Sequence, residues 1–406
     1  MSAKDSQLLL AQEKRGYTNV EAPCPYFGTC GGCTLQDLAY PDQLAFKQQR
    51  LQRAFAPWSD LPPIELIGLE APWRYRNKVE LTFSQVDGHV ALGYHAARSF
   101  WRIVDLEDCL LAPIGMAPVW RDVRSLAERT GLPVYHPRTH QGFFRYLLLR
   151  QSHATGQLLV CLITTPGHPE AVEAVGRTLI ETHPEIASLY WGTTERIADI
   201  AIPETLTLLH GAPHLDDRLG PFRLELPPFS FLQPCGAQAH RMYTRLCEVV
   251  GERPGAIAWD LYCGVGLVGF YLSERVQRVY GIEVEPRQVE LAWRHAELNG
   301  IRNIEFRAGR VETLLMDRRF WLQEAKPDLI VVDPPRAGLH PRVVGSLLAA
   351  RPQTVVYLSC NVSSLVRDLQ AFCAGFPRYR LRQVTAFDMF PQTAHLEVLA
   401  VLDRTQ

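Results

Sequence analysis

Polar and apolar positions change rhythm near Pro227–Pro228, and the change divides the chain. Upstream the period is two. Lys78–Phe83 alternates polar with apolar residues, and Val90, Leu92 and Tyr94 alternate again after Asp87–Gly88, which predicts a hairpin. Tyr146–Arg150 and Leu158–Thr164 predict a second pair joined across Ala154–Gly156. An irregular antiparallel β domain accounts for this half, preceded by a stretch of helical composition over Gln36–Ala54.

Downstream, strand and helix signals alternate. Helix Gly236–Val250 leads to strand Ile257–Tyr262, a glycine turn and another helix. Strand Arg278–Glu283 precedes helix Pro286–Asn299, with proline in the first turn. Strands Ile304–Ala308, Leu329–Asp333 and Thr354–Ser359 follow, with helices between them. The last two strands, Arg380–Met389 and His395–Leu402, have a short link and should pair antiparallel. The pattern is that of a doubly wound α/β domain ending in an antiparallel hairpin, with its ligand beyond the carboxyl ends of the central strands. Three parts are expected: 1–60 with a cysteine-bearing segment and a helix, 61–227 mainly β, and 228–406 α/β.

A length of 406 residues suits this division, and 47% hydrophobic residues supply its cores. The formal charge of −1 gives no overall basic surplus, so any nucleic-acid surface has to be a local patch. Leu8–Leu10 is too short an apolar run for a signal peptide, and no run reaches the roughly 18–20 residues of a membrane span. The expectation is a cytoplasmic protein without membrane contact, its ten cysteines reduced. No obligate protein partner is implied.

Asp260-Leu-Tyr-Cys-Gly-Val-Gly266 ends the first strand of the α/β part. Gly264, Gly266 and Gly269 match GxGxxG, with Glu283 at the end of the next strand placed to accept hydrogen bonds from ribose hydroxyls. The motif alone serves a nicotinamide dinucleotide or S-adenosylmethionine equally well. Asp333-Pro-Pro-Arg336 follows an apolar strand, and its prolines hold Asp333 at the mouth of the site. Cys360, at a strand end leading into a helix, sits where a helix N-terminus can lower a thiol pKa. Glu397, a carboxylate inside an apolar strand, is costly there unless used or paired. Near the N-terminus, Cys24-x5-Cys30-x2-Cys33 and the distant Cys109 offer four thiolates among Gly28, Gly31 and Gly32, a set that can hold zinc or iron–sulfur. Trp73–Lys78, Arg98–Arg102 and Arg138–Arg150 interleave basic and aromatic residues, a combination suited to single-stranded RNA.

Phe229-Ser-Phe-Leu-Gln233, Asp260–Gly266, Asp333–Arg336, Leu358-Ser-Cys-Asn361 and Asp388-Met-Phe-Pro-Gln-Thr-Ala-His-Leu-Glu397, in that order, resemble the TrmA/RumA-type RNA uracil-C5 methyltransferases. The resemblance covers most of the chain. It implies a class I, Rossmann-like methyltransferase domain using S-adenosylmethionine, preceded by a mainly β RNA-binding domain. It also implies Cys360 as nucleophile and Glu397 as proton acceptor, with Gln233, Tyr262, Glu283 and Asp333 lining the cofactor and uracil pocket. For Cys24, Cys30, Cys33 and Cys109 it implies a [4Fe-4S] cluster rather than zinc. An iron–sulfur subtype lacking a TRAM domain is expected, since 23 residues precede Cys24. The chain departs from the family at Val362, Cys235, Leu267 and Arg310. The RNA partner expected is 23S rRNA, with tRNA as the alternative. An NAD(P)-dependent iron–sulfur oxidoreductase leaves Cys360 and Glu397 without work; a non-catalytic RNA-binding protein is the third reading.

Overall fold

The computed structural model describes residues 12–316 and 326–405; Leu8–Leu10 lies outside them. Helix α1 (Tyr40–Phe55), with proline in its first turn, buries Gln43, Phe46, Lys47, Leu51 and Phe55. Strand β1 (Glu65–Ile67) follows, then β2 (Lys78–Val86), β3 (His89–His95) and β4 (Ile103–Asp105). Helix α2 (Met116–Arg129), β5 (Phe144–Gln151), β6 (Leu158–Thr164), α3 (Pro169–Thr182), β7 (Ile186–Thr193) and β8 (Thr205–Gly211) complete the first half. A short ribbon, β9 (Leu215–Leu219) and β10 (Phe222–Leu226), leads to α4 (Gly236–Val250).

The second half runs β11 (Arg253–Leu261), α5 (Leu267–Ser273), β12 (Val276–Glu283), α6 (Pro286–Leu298), β13 (Ile304–Ala308), α7 (Val311–Leu314) and β14 (Leu329–Val332). It ends with α8 (Pro341–Ala350), β15 (Thr354–Ser359), α9 (Val362–Ala374), β16 (Tyr379–Phe387) and β17 (Glu397–Arg404).

The first half builds a seven-stranded sheet, β4-β3-β2-β5-β6-β7-β8. The two expected hairpins are there, β2 with β3 and β5 with β6. The sheet is not antiparallel throughout. β6 and β7 pair parallel, joined by α3. Both α2 and α3 went unread in the sequence, although Val172, Val175 and Leu179 recur at helical spacing and are buried. The even strand alternation on either side masked that period.

The second half builds an eight-stranded sheet, β1-β16-β17-β15-β14-β11-β12-β13. From β13 to β15 all pairs are parallel, and β17 lies antiparallel between β15 and β16. An all-parallel dinucleotide fold has no such inserted strand. β1, from the segment expected to be part of the β domain, instead extends this sheet by pairing parallel with β16. One apolar core runs from Tyr146, Leu148 and Leu159 through Leu224, Met242 and Leu246 to Ala258 and Val331. The two sheets are therefore cemented through β9, β10 and α4, which fixes the loops of one against the strand ends of the other.

Candidate active site

Strand register places the chemistry at one end of the eight-stranded sheet. Ser359 in β15 pairs with Val398 in β17, so the next step sets Cys360 opposite Glu397. Directly opposed residues on antiparallel strands send side chains to the same face, with Cα atoms about 4.5–5.5 Å apart. Val332 pairs with Leu261 on one side and Tyr357 on the other, which carries Asp333 to the same edge as Tyr262 and Cys360. The Asp333 amide is anchored on the Leu261 carbonyl at 3.2 Å. Leu261 pairs with Ile282, so Glu283 emerges beside Tyr262.

Two loops of the site are tied together. The Asn361 side-chain amide donates to the Arg336 carbonyl at 2.8 Å, and the Ser364 hydroxyl donates to the same oxygen at 3.2 Å. Asn361 also caps α9, its side-chain oxygen accepting the Ser363 amide at 3.1 Å. The helix end is thus satisfied by Asn361. The expected lowering of the Cys360 thiol is not what the surroundings give. Burial raises it, the Glu397 and Asp333 charges add to that, and the Arg336 guanidinium opposes them. Glu397 is 2% exposed, so it does not face solvent from an alternating strand. Burial and then Asp333 hold its carboxyl well above the usual range. Burial raises Asp333 to about 7.

The three glycines of the turn do different jobs. A Cβ on Gly266 would stand 2.7 Å from the Phe306 ring, and one on Gly269 would stand 2.6 Å from Ile304, so these two serve packing. Gly264, at φ +51°, has open space where a Cβ would project, and its amide donates to Glu283 Oε2 at 3.1 Å. That bond ties the turn to the end of β12. Tyr262 takes a left-handed conformation, φ 65°, and is half-buried. Gln233 comes from another element, the loop before α4. It is buried, and its carbonyl accepts from the Asn77 side chain at 2.8 Å.

The profile of the tRNA (uracil-5-)-methyltransferase family matches residues 216–405. An RNA methyltransferase of Halalkalibacterium halodurans is 32% identical over 95% of this chain and 83% of its own length. One of Enterococcus faecalis is 33% identical over 98% and 87%. The chain belongs to the RNA uracil-C5 methyltransferase family. The fold agrees: the structure of the Pyrococcus abyssi tRNA (uracil-54, C5)-methyltransferase with S-adenosyl-L-homocysteine matches with a TM-score of 0.74 and 28% identity. That match covers 91% of this chain and 85% of the other. The protein is thus an S-adenosylmethionine-dependent RNA methyltransferase, and the nicotinamide oxidoreductase reading falls with the strand order and the family.

Several residues of this methyltransferase's site escaped the sequence reading. Asp260, fully buried, accepts the Gly269 amide at 2.8 Å; burial first, then the Asp333 and Glu283 charges, raise it to about 8 against that bond. Tyr243 of α4 lies under the acid group, within reach of the Asp333, Glu397 and Asp260 charges. Lys47 of α1, completely buried, pairs with Asp388 at 2.5 Å and donates to the Phe390 carbonyl at 3.2 Å. Tyr40 donates to the other Asp388 oxygen at 2.9 Å, and Gln43 and Gln392 bond each other twice. Tyr40, Gln43 and Lys47 recur at helical spacing, a face that could have been read as polar yet facing inward. Among the family departures, Cys235 and Leu267 are buried packing residues, and Arg310 faces solvent.

The three N-terminal cysteines and Cys109 come together. Cys24, Cys30, Cys33 and Cys109 line one cavity of about 20 Å³ with Arg76, Tyr94 and Leu106. All four thiols are free, and among the described residues no three His, Cys, Asp or Glu side chains converge on a single metal position. The stretches expected to touch RNA divide sharply. Arg74 is engaged by Asp108 at 2.6 Å and Lys78 by Glu80 at 2.7 Å, so Trp73–Lys78 is largely scaffold. Arg145 and Arg150 are buried. In Arg98–Arg102, by contrast, Phe100 is 83% exposed and Trp101 55%, with the Arg138 guanidinium 5.4 Å from the Trp101 ring.

Proposed function

We propose that the enzyme methylates C5 of a uridine through a covalent bond between Cys360 and C6 of the base. The carrying observation is the opposition of Cys360 and Glu397 across β15 and β17, with Asp333 on the adjacent strand tip. Uracil C5 is a poor nucleophile, and sulfur addition at C6 makes it enolate-like, dividing one hard step into easier ones. S-adenosylmethionine supplies an electrophilic methyl on a sulfonium cation. Glu397 then takes the C5 proton, and the electron pair released expels the Cys360 sulfur and restores the ring. A buried carboxylate with a raised pKa is a stronger base for that proton than an ordinary one. Glu283 and the Gly264 amide suit the cofactor ribose, while Gln233, Tyr262 and Asp333 complete the pocket. Three acidic side chains with raised pKa values favour a cationic ligand over a second anion.

The RNA proposed is 23S rRNA, on the resemblance of the cysteine set to that of some enzymes acting on it. The tRNA specificity of the Pyrococcus relative makes tRNA the alternative. Phe100, Trp101 and Arg138 offer stacking and cationic contacts to an unpaired strand, from which the target nucleotide is extruded into the site. The four cysteines are assigned a [4Fe-4S] cluster rather than zinc on the family resemblance, and their meeting at one cavity supports a shared four-thiolate cofactor. Reduced cysteines and an RNA substrate agree with the cytoplasm, and no described helix is long and apolar enough to cross a membrane.

The test is incubation with S-adenosylmethionine and unmodified 23S rRNA or tRNA, followed by mapping of the methylated nucleoside. Cys360→Ala is expected to abolish turnover. Glu397→Gln is expected to trap a protein–RNA adduct stable to denaturation. Full activity in the alanine variant, or methylation away from C5, sinks the mechanism.

A further inference from the structure

The end of the eight-stranded sheet opposite the catalytic edge carries a second feature of note. Arg351, Phe376, Pro377, Arg378, Arg404 and Thr405 line a groove of about 490 Å³. None of its lining residues is acidic, and none of the three arginines has a carboxylate within ion-pair distance among the described residues. The nearest acid in sequence, Asp403, is committed to Arg382 at 3.2 Å and to the Thr354 hydroxyl at 2.9 Å. Three uncompensated guanidinium groups repel one another, so the groove is electrostatically short of an anion.

The side chains of Arg404 and Arg351 and the backbone of Arg378 are held in place. Arg404 donates to the Arg351 carbonyl at 2.6 Å. The Arg378 carbonyl accepts both the amide and the hydroxyl of Thr405, at 2.9 and 3.0 Å. Arg351, in a left-handed turn at φ 53°, lays its guanidinium 5.7 Å from the Phe376 ring. That ring is 82% exposed. A cationic floor beside an exposed aromatic face matches the two halves of a nucleotide, phosphate and base.

We propose that this groove is a second RNA-binding site, taking a phosphodiester on Arg351, Arg378 and Arg404 and an unpaired base on Phe376. It rests on RNA being the substrate and not on the chemistry at Cys360. β15 runs between the two places, and its six residues put them about 20 Å apart. An RNA engaged at both would wrap the edge of the sheet. In a chain with 42 basic against 43 acidic residues, RNA affinity has to be assembled from such local patches.

A fluorescent oligouridylate of about 20 nucleotides serves as probe, its affinity for the full-length protein followed by anisotropy over a series of KCl concentrations. For Arg378→Ala/Arg404→Ala the expected result is binding weaker by about 5- to 10-fold. The slope of log affinity against log salt should also be shallower by about 1.4, two phosphate contacts at roughly 0.7 each on a single strand. Phe376→Ala is expected to weaken binding at least about 5-fold with the slope unchanged. An S-adenosylmethionine affinity equal to wild type reports an intact fold, and the fully surface-placed Phe376→Ala tests the site even if the arginine pair disturbs folding. Wild-type affinity and slope in both variants overturn the proposal. So does competition by uridine monophosphate as strong, molecule for molecule, as by the oligonucleotide, which makes the groove a mononucleotide site.

Discussion

Asp333, Glu397 and Asp260 put three acid groups at one end of a buried sheet, and each is pushed towards its neutral form by burial before anything else. A cofactor whose reacting centre is a cation relieves that crowding. Its affinity should therefore depend on pH with a definite sign. Asp333 is raised from 3.8 to about 7, so a rise from pH 6 to 8 ionises it and should tighten S-adenosylmethionine binding, several-fold by isothermal calorimetry. Asp333→Asn should flatten that dependence. Stability runs the other way. The folded protein holds the Asp333 proton more tightly than the unfolded chain, so the stabilisation is complete below about pH 4 and is lost as pH climbs through 7. Asp333→Asn should accordingly stabilise the protein at pH 8, on the order of 1–3 kcal/mol in urea unfolding, while impairing turnover. A variant no more stable than wild type at pH 8 removes the claim that burying this carboxyl is costly.

Whole elements were legible where one period dominated. Helix Gly236–Val250 and strands Ile304–Ala308 and Thr354–Ser359 have the boundaries expected of them, because apolar runs there are bounded by turn residues. Cys360, Glu397 and Asp333, which the register brings to one sheet edge, stood out in the sequence because each departs from what its element otherwise demands: a thiol at a strand exit, a carboxylate in an apolar strand, a double proline after another. The clamp on Asp388–Gln392 was not legible, since it joins α1 to a segment 341 residues away. No local pattern encodes such a pairing. It makes Lys47 a positioning residue: with Gln43 and Tyr40 it fixes Asp388–Gln392, the chain that delivers Glu397 to the start of β17. Lys47→Met leaves the buried Asp388 without its cation, with the Tyr40 hydroxyl as its remaining side-chain donor, and should cost about 3–5 kcal/mol. A purely structural role stops there. A positioning role also lowers kcat at least tenfold while leaving S-adenosylmethionine affinity unchanged, because the residues proposed to hold the ribose lie at the ends of β11 and β12. Single-turnover methylation beside calorimetry separates the two, and an unaltered kcat in the folded variant refutes the positioning role.

At the scale of the molecule, the cysteine segment touches both halves. The Thr34 and Leu35 amides donate to the Gln392 carbonyl at 2.9 and 3.0 Å, on the segment clamped by α1. The Gly31 amide donates to the His95 carbonyl at 3.0 Å and the Ala97 amide to the Thr29 carbonyl at 2.8 Å, at the end of β3 beside the exposed Phe100 and Trp101. Cys109 comes from the β domain, held by the Arg74–Asp108 pair. A cluster bound by all four cysteines thus staples the N-terminal segment between the surface proposed for RNA and the loop carrying Glu397. Left without a cluster, the half-buried thiols beside Arg76 are held neutral at Cys24, Cys30 and Cys33, chiefly by burial, and neutral thiols hold that staple weakly. Protein purified without oxygen should contain iron and acid-labile sulfide, and Cys109→Ser should lose both. The same variant should become open to proteolysis within 24–35, bind RNA more weakly and turn over more slowly, with S-adenosylmethionine affinity retained. Stoichiometric zinc without sulfide assigns the four thiols to zinc instead. Iron loss with wild-type turnover and an unaltered proteolytic pattern severs the link between the cysteine segment and Asp388–Gln392.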